Sequence, residues 1–103
     1  MITTVCMNPS FDKTAAVDGL QKGGLNRLRD VRYDVGGKGL NVAIVLGRLQ
    51  VEAACVGCVG EKDETEFMDM VRAQGVAFHT LRLAGNTRTN LKILDLASKA
   101  VTE

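Results

Sequence analysis

The run Gly36-Gly37-Lys38-Gly39-Leu40-Asn41 passes straight into Val42-Ala43-Ile44-Val45-Leu46-Gly47-Arg48-Leu49, an apolar stretch of helical length. No other feature narrows the fold as much. Glycines let the backbone turn tightly and approach a neighbour or a ligand without interference from Cβ. The first turn of a helix leaves N–H groups unpaired at the positive end of its dipole. The junction is therefore a ready anion site, with Lys38 as a mobile cation beside it. Glycine turns before helices are also ordinary punctuation, so a purely structural reading stands beside the phosphate grip.

Around this junction the pattern alternates between strand and helix. Residues 2–7 form a short β-branched run, a plausible central strand, ended by Asn8-Pro9-Ser10. Residues 14–17 and 30–35 read as two further strands, and in the second Val31, Tyr33 and Val35 alternate with Arg32 and Asp34. The helix at 40–49 is apolar on most sides and is expected to lie between layers. A strand at 51–59 returns parallel to the first. A second helix follows at 61–74, with Asp63, Glu64 and Glu66 at its N-terminus, Phe67, Met70 and Val71 on one face, and Gly75 as terminator. Strands at 76–83 and 89–96 complete the pattern. In the last, Leu91, Ile93 and Asp95 alternate with Lys92, Leu94 and Leu96. In an open α/β sheet ligands sit beyond the carboxyl ends of the strands, where Asp12 and the 36–41 loop both fall.

Composition excludes several classes. A net charge of +1 from scattered basic residues argues against a nucleic-acid surface. No apolar run reaches the roughly 18 residues that cross a bilayer, so no membrane partner is expected. No basic segment followed by an apolar core opens the chain, and the three cysteines are an odd number; both point to the cytoplasm. Cys55-Val56-Gly57-Cys58 spells a CxxC pair, but zinc would need two more ligands from Cys6, His79 or carboxylates. The thiols read instead as small hydrophobes, and His79 as a residue on the wet face of a strand, with no metal site.

Four spaced motifs carry a resemblance along the whole chain. They are Thr4-Val5-Cys6-Met7-Asn8-Pro9-Ser10-Phe11-Asp12, Gly24-Leu25-Asn26-Arg27, Gly36-Gly37-Lys38-Gly39-Leu40-Asn41-Val42-Ala43 and Thr87-Arg88-Thr89-Asn90-Leu91-Lys92-Ile93. In this order they resemble the PfkB family of sugar kinases, and within it the hexose-phosphate branch of 1-phosphofructokinases and tagatose-6-phosphate kinases. The resemblance implies an α/β, ribokinase-like fold, an open and mostly parallel sheet with helices on its faces plus a small β-sheet lid. Core elements would occupy about 1–10 and 36–86, and lid strands about 13–35 and 87–98. Family members are much longer, and their second half carries a Gly-Ala-Gly-Asp-type motif with the catalytic aspartate and much of the nucleotide site. The chain is thus expected to be the N-terminal, sugar-binding part, with no catalytic residue and no activity by itself.

The resemblance also assigns roles, and each residue keeps a plainer alternative. Asp12 resembles the carboxylate that takes sugar hydroxyls, or else caps a turn. Gly36 and Gly37 would present backbone, Lys38 would attract the phosphate, and Asn41 would bond a hydroxyl or simply face solvent. Arg88 resembles the phosphate-binding arginine, whose planar fork suits bidentate contact, or else is a strand-edge residue. Arg27 resembles a lid residue that reaches a phosphate; a solvated loop arginine is the other reading. Lys92 is a secondary candidate. Gln50 stands where the family usually has glycine, so the helix-to-strand turn is expected to differ, and residues 57–63 are more acidic than usual.

In the complete enzyme the resemblance implies in-line transfer of the ATP γ-phosphoryl group, with Mg²⁺ offsetting charge. Neither ATP nor Mg²⁺ is expected to bind this chain alone. Fructose 1-phosphate is the first choice of sugar phosphate and tagatose 6-phosphate the second, and in many members the lid also forms a homodimer. The alternative is a non-catalytic sugar-phosphate-binding or dimerisation module. An unpaired sheet edge and exposed apolar faces would favour self-association or partial unfolding.

Overall fold

A computed structural model describes residues 1–103. Its elements are β1 (Ile2–Cys6), β2 (Ser10–Val17), β3 (Arg29–Gly36), α1 (Lys38–Arg48), β4 (Ala53–Gly60), a 3-10 turn (Glu61–Asp63), α2 (Glu64–Ala73), β5 (Ala77–Leu83), β6 (Arg88–Asp95) and β7 (Val101–Thr102). The chain divides into two compact units. The larger comprises Met1–Phe11 and Val35–Arg88, the smaller Asp12–Asp34 and Thr89–Glu103. Neither helix is long and apolar enough to cross a membrane.

In the larger unit three parallel strands run in the order β1-β4-β5, with Val5 opposite Val56 and Val56 opposite His79. Helix α1 packs on β1 and β4, and α2 on β4 and β5. The core is aliphatic apart from three phenylalanines and the thiols Cys6 and Cys55. Phe67 of α2 is fully buried and meets Phe11 and Phe78 edge-on, at centroid distances of 5.4 and 5.7 Å, a geometry the ring quadrupoles favour. Leu40 and Ala43 of α1 and Val71 of α2 fill the remaining space.

The two helices treat their apolar residues differently. As the spacing predicts, α2 buries Phe67 and Val71, with Met70 packed partly against the core. Helix α1 departs from expectation. It buries Leu40, Ala43 and Ile44, while Val42, Val45 and Leu49 stay exposed, because β1 and β4 cover one face only. Strand β1, read as a central strand, is instead an edge of this sheet, with Val5 61% exposed.

One close approach fixes α1 on the sheet. A Cβ built on Gly39 would lie 2.2 Å from the Val5 carbonyl oxygen, so no other residue fits there without displacing backbone. The Thr4 hydroxyl donates to the Gly39 carbonyl at 2.7 Å and locks the same junction. At the other end of α1 the turn keeps its usual form despite Gln50. The Val51 N–H reaches the Leu46 carbonyl and the Gln50 N–H the Gly47 carbonyl, the paired bonds of a Schellman motif. Gln50 therefore sits at φ 61°, left-handed backbone that glycine adopts without strain. These bonds also delay β4 to Ala53, two residues later than its apolar run suggests.

The smaller unit holds most of a four-stranded sheet in the order β3-β2-β6-β7, with Ile93 opposite Thr102 and Leu94 opposite Val101 in the antiparallel closing pair. Ala15, Ala16 and Val17 are buried. Strand β3 lies at the edge, and its expected dry row forms only at Val35. Val31 and Tyr33 remain about half exposed, with the Lys13 ammonium 5.5 Å from the Tyr33 ring centroid.

Asp95, expected in an alternating strand row, instead ties two turns together. Its carboxylate accepts from the N–H groups of Gly19 at 3.1 Å, Leu20 at 3.2 Å and Ala97 at 3.0 Å. The Leu20 N–H foremost, then those of Ala97 and Ser98, holds the carboxyl below the ordinary carboxylate range, against the opposing effect of burial.

Two glycine-related substitutions should move stability in opposite directions. Gly39→Ala is expected to destabilise by ~2–3 kcal/mol through overpacking, and Gln50→Gly to stabilise by ~0.5–1 kcal/mol by relieving left-handed strain. Urea midpoints would report both. Because folding lowers the Asp95 pKa, its contribution is complete above the unfolded value of 3.8 and fades as pH falls through the lower folded value. The difference in midpoint between the wild type and Asp95→Ala should be widest near neutral pH and narrow in acid. A difference that ignores pH would refute the role of the charge.

Candidate functional site

The carboxyl end of β1 opens on a cavity of about 270 Å³ in the larger unit, lined by Val5, Cys6, Met7, Asn8, Lys38, Gly39 and Arg88. Its position follows from the close approach of Gly39 to β1. That contact brings the first turn of α1, and Lys38 with it, to the strand end. Gly37 caps the helix at φ 125°, with no side-chain cap and no acidic residue in the first turn. The first intrahelical bond runs from the Asn41 N–H to the Gly37 carbonyl at 2.8 Å. The N–H groups of Lys38, Gly39 and Leu40 thus lack helical acceptors, and the positive end of the dipole has no neighbouring carboxylate on its own turn.

Arg88 approaches the cavity from the start of β6. Its guanidinium donates to the Asn8 carbonyl from Nη2 at 2.9 Å and from Nε at 3.3 Å. Two cationic side chains and a helix start therefore border one cavity. Chemically this arrangement suits a phosphate or carboxylate: one planar fork, one point charge and oriented backbone donors.

The other candidates are placed as follows. Gly36 is buried at the end of β3, and neither it nor Gly37 lines the cavity, whereas Gly39 does. Asn41 is exposed on α1 and is absent from the cavity wall. Asp12 belongs to the smaller unit, where its Oδ1 accepts from the Asn90 side-chain amide at 3.2 Å. There it borders a cavity of about 530 Å³ with Thr89, Asn90, Leu91, Lys92 and Glu103. Lys92 Nζ lies 3.6 Å from Glu103 Oε1. Arg27 lines a different cavity of that unit, of about 320 Å³, in the loop between β2 and β3. The Asn26 side chain shapes this loop, accepting from the Gln21 N–H at 2.8 Å and donating to the Gln21 carbonyl at 2.9 Å.

Three positions emerge that residue-by-residue reading missed, namely Gly39, Asn8 through its carbonyl, and Asn90 beside Asp12. All lie inside the quoted motifs, so motif membership was the available signal. Backbone groups such as the Asn8 carbonyl leave no mark in side-chain identity. Among the thiols, Cys6 and Cys55 are buried and Cys58 is half-buried. Burial pushes the Cys55 thiol up, despite a hydrogen bond with Thr4, which disfavours the reactive thiolate. No three His, Cys, Asp or Glu side chains converge in a group that could hold a metal ion.

Known proteins share both the sequence and the architecture. Residues 6–103 match the pattern of the pfkB family carbohydrate kinases. The chain is 39% identical over 100 residues to the 1-phosphofructokinase of Xanthomonas campestris pv. campestris, covering 97% of this chain and 31% of that protein. It is 37% identical over 102 residues to the 1-phosphofructokinase of Rhodobacter capsulatus, covering 99% and 32%. The chain thus spans about a third of the length of these relatives. Among solved structures, Escherichia coli phosphofructokinase-2 in complex with fructose-6-phosphate superposes with a TM-score of 0.89 at 24% identity, over 98% of this chain and 33% of that one. Thermotoga maritima ribokinase superposes with a TM-score of 0.78 at 18% identity, over 99% and 35%. At these identities the two likenesses concern the fold, which is ribokinase-like. With its sequence matched from residue 6 to residue 103, the chain belongs to the PfkB family of carbohydrate kinases.

Proposed function

We propose that this chain is the sugar-phosphate-binding part of an ATP-dependent hexose-phosphate kinase. The observation that carries the reading is the cavity bordered by both Lys38 and Arg88 at the start of α1. Arg88 takes phosphate oxygens with its fork and Lys38 neutralises the dianion, while the first-turn N–H groups add oriented donors. Gly36 and Gly37 carry backbone toward the sugar. Asn41, Asp12 and Arg27 remain candidates by motif alone, with Asp12 chemically suited to accept from sugar hydroxyls. The smaller unit serves as the sugar lid. Fructose 1-phosphate is the favoured substrate, since curated relatives are 1-phosphofructokinases.

In the complete kinase, ATP supplies the phosphoryl group and Mg²⁺ offsets its charge. This chain brings no three carboxylate, histidine or cysteine side chains together in a group that could hold a cation. Its share of the chemistry is orientation and electrostatic binding of the acceptor. Such binding raises the effective concentration of the acceptor hydroxyl without moving a proton.

Calorimetric titration with fructose 1-phosphate, fructose 6-phosphate and unphosphorylated fructose tests the reading. Saturable binding of a phosphorylated sugar is expected, with fructose far weaker. Arg88→Ala should weaken it by about 1.5–3 kcal/mol, the worth of a charge-assisted hydrogen bond. A cooperatively folded sample that takes neither sugar phosphate would refute autonomous binding. Equal affinity for fructose would refute the phosphate grip.

A further inference from the structure

Asp63 occupies the N-cap position of α2, yet its side chain makes no capping bond to the helix. An N-cap aspartate ordinarily accepts from an N–H of the first helical turn. Here both carboxylate oxygens accept instead from the Thr87 N–H, at 3.0 and 3.1 Å. Thr87 is 8% exposed, one of two buried polar residues in the chain. Its hydroxyl in turn accepts from the Gly60 N–H at 3.0 Å. The Lys62 N–H adds a bond to the Gly85 carbonyl at 3.1 Å. The backbones also touch: a Cβ on Gly60 would lie 2.4 Å from the Asn86 carbonyl carbon. The loop leaving β4 and the loop entering β6 are thereby clamped together at Thr87, whose next neighbour in sequence is Arg88.

We propose that Asp63 is the positioning residue for Arg88, holding the backbone from which the guanidinium reaches the Asn8 carbonyl and the cavity. A partly buried peptide N–H held by a carboxylate is a directional restraint, worth more than a neutral pair. Fixing Thr87 at both its N–H and its hydroxyl leaves Arg88 with its origin set and only its side-chain torsions to order. An arginine that enters binding with less freedom to lose binds more tightly. The helix gives up a cap for this, and Glu64 and Glu66 remain in its first turn to favour the dipole. The consequence for phosphate affinity rests on the reading of Arg88 given above; the positioning itself does not.

The test uses the full chain, labelled with ¹⁵N, and follows the Arg88 Nε–H resonance, assigned by its loss in Arg88→Lys. In Asp63→Ala this resonance should move toward the position of a free arginine, and the Thr87 amide should exchange faster, while resonances of β1 and β4 stay in place. Asp63→Asn, which keeps one acceptor oxygen, should fall between. Fructose 1-phosphate affinity should drop about tenfold in Asp63→Ala but scarcely further when Arg88→Ala is already present. Should Asp63→Ala fail to fold, Asp63→Asn and Thr87→Val, which removes the hydroxyl acceptor, carry the same readout. An Arg88 resonance unmoved in the variants that fold overturns the proposal. If the wild type binds no sugar phosphate yet the resonance moves, the positioning role stands and only the phosphate reading falls.

Discussion

The contact between Gly39 and the Val5 carbonyl governs much of the larger unit, since the room left for a side chain there is nil. Through it the start of α1 rests directly on the end of β1, backbone against backbone. Leu40, Ala43 and Ile44 can then reach the core, and Lys38 emerges at the strand end. The glycines that look like a ligand cradle thus answer first to packing. Fold and anion site are not competing explanations of this motif. The close approach that the sheet demands is what sets the helix N-terminus beside the cavity.

A second constraint lies where β4 and β5 end. Parallel strands deliver their loops to the same end of a sheet, and in this chain two of those loops are bonded to one another rather than left to solvent. Gly60, Asp63 and Thr87 form a short polar network with a buried member in a unit whose interior is mostly apolar. Satisfied networks of this kind rigidify, because every broken bond would leave a desolvated group. The cavity accordingly has a rigid wall on the β1 side and a braced arginine on the other.

Much of this was legible in the residues. The β-branched run at β1, the alternation of strand and helix, and the Phe67–Val71 spacing all carry strong local signals, and the parallel register follows from helical crossovers. Boundaries were less legible. Residue 10 looks like turn chemistry after Pro9, yet β2 begins there, and β7 is too short to announce itself. The burial of α1 was not legible, because an unbroken apolar run at 42–46 says nothing about how many neighbours exist to cover it. At the site, cationic and acidic side chains were visible as types. The role of the Asn8 carbonyl and the diversion of Asp63 from its helix were not, since both depend on backbone groups distant in sequence. Gln50 shows the opposite case: its departure from glycine suggested a different turn, but the hydrogen bonds of the helix end outweigh the strain of one left-handed residue.

The two units are threaded through one another in sequence: all of Val35–Arg88 stands between the two pieces of the smaller one. During synthesis Asp12–Asp34 leaves the ribosome long before its partner strands exist, and its sheet stays open until Thr89 onward has been made. Closing so long a loop carries an entropic cost that grows only slowly with length, on the order of (3/2)RT ln n, but the wait itself is imposed by chain order. The larger unit, whose βαβ segment is local, is thus placed to fold before the smaller one is complete. Nor can a protease release the smaller unit as one stretch of chain, since Val35–Arg88 lies between its two pieces.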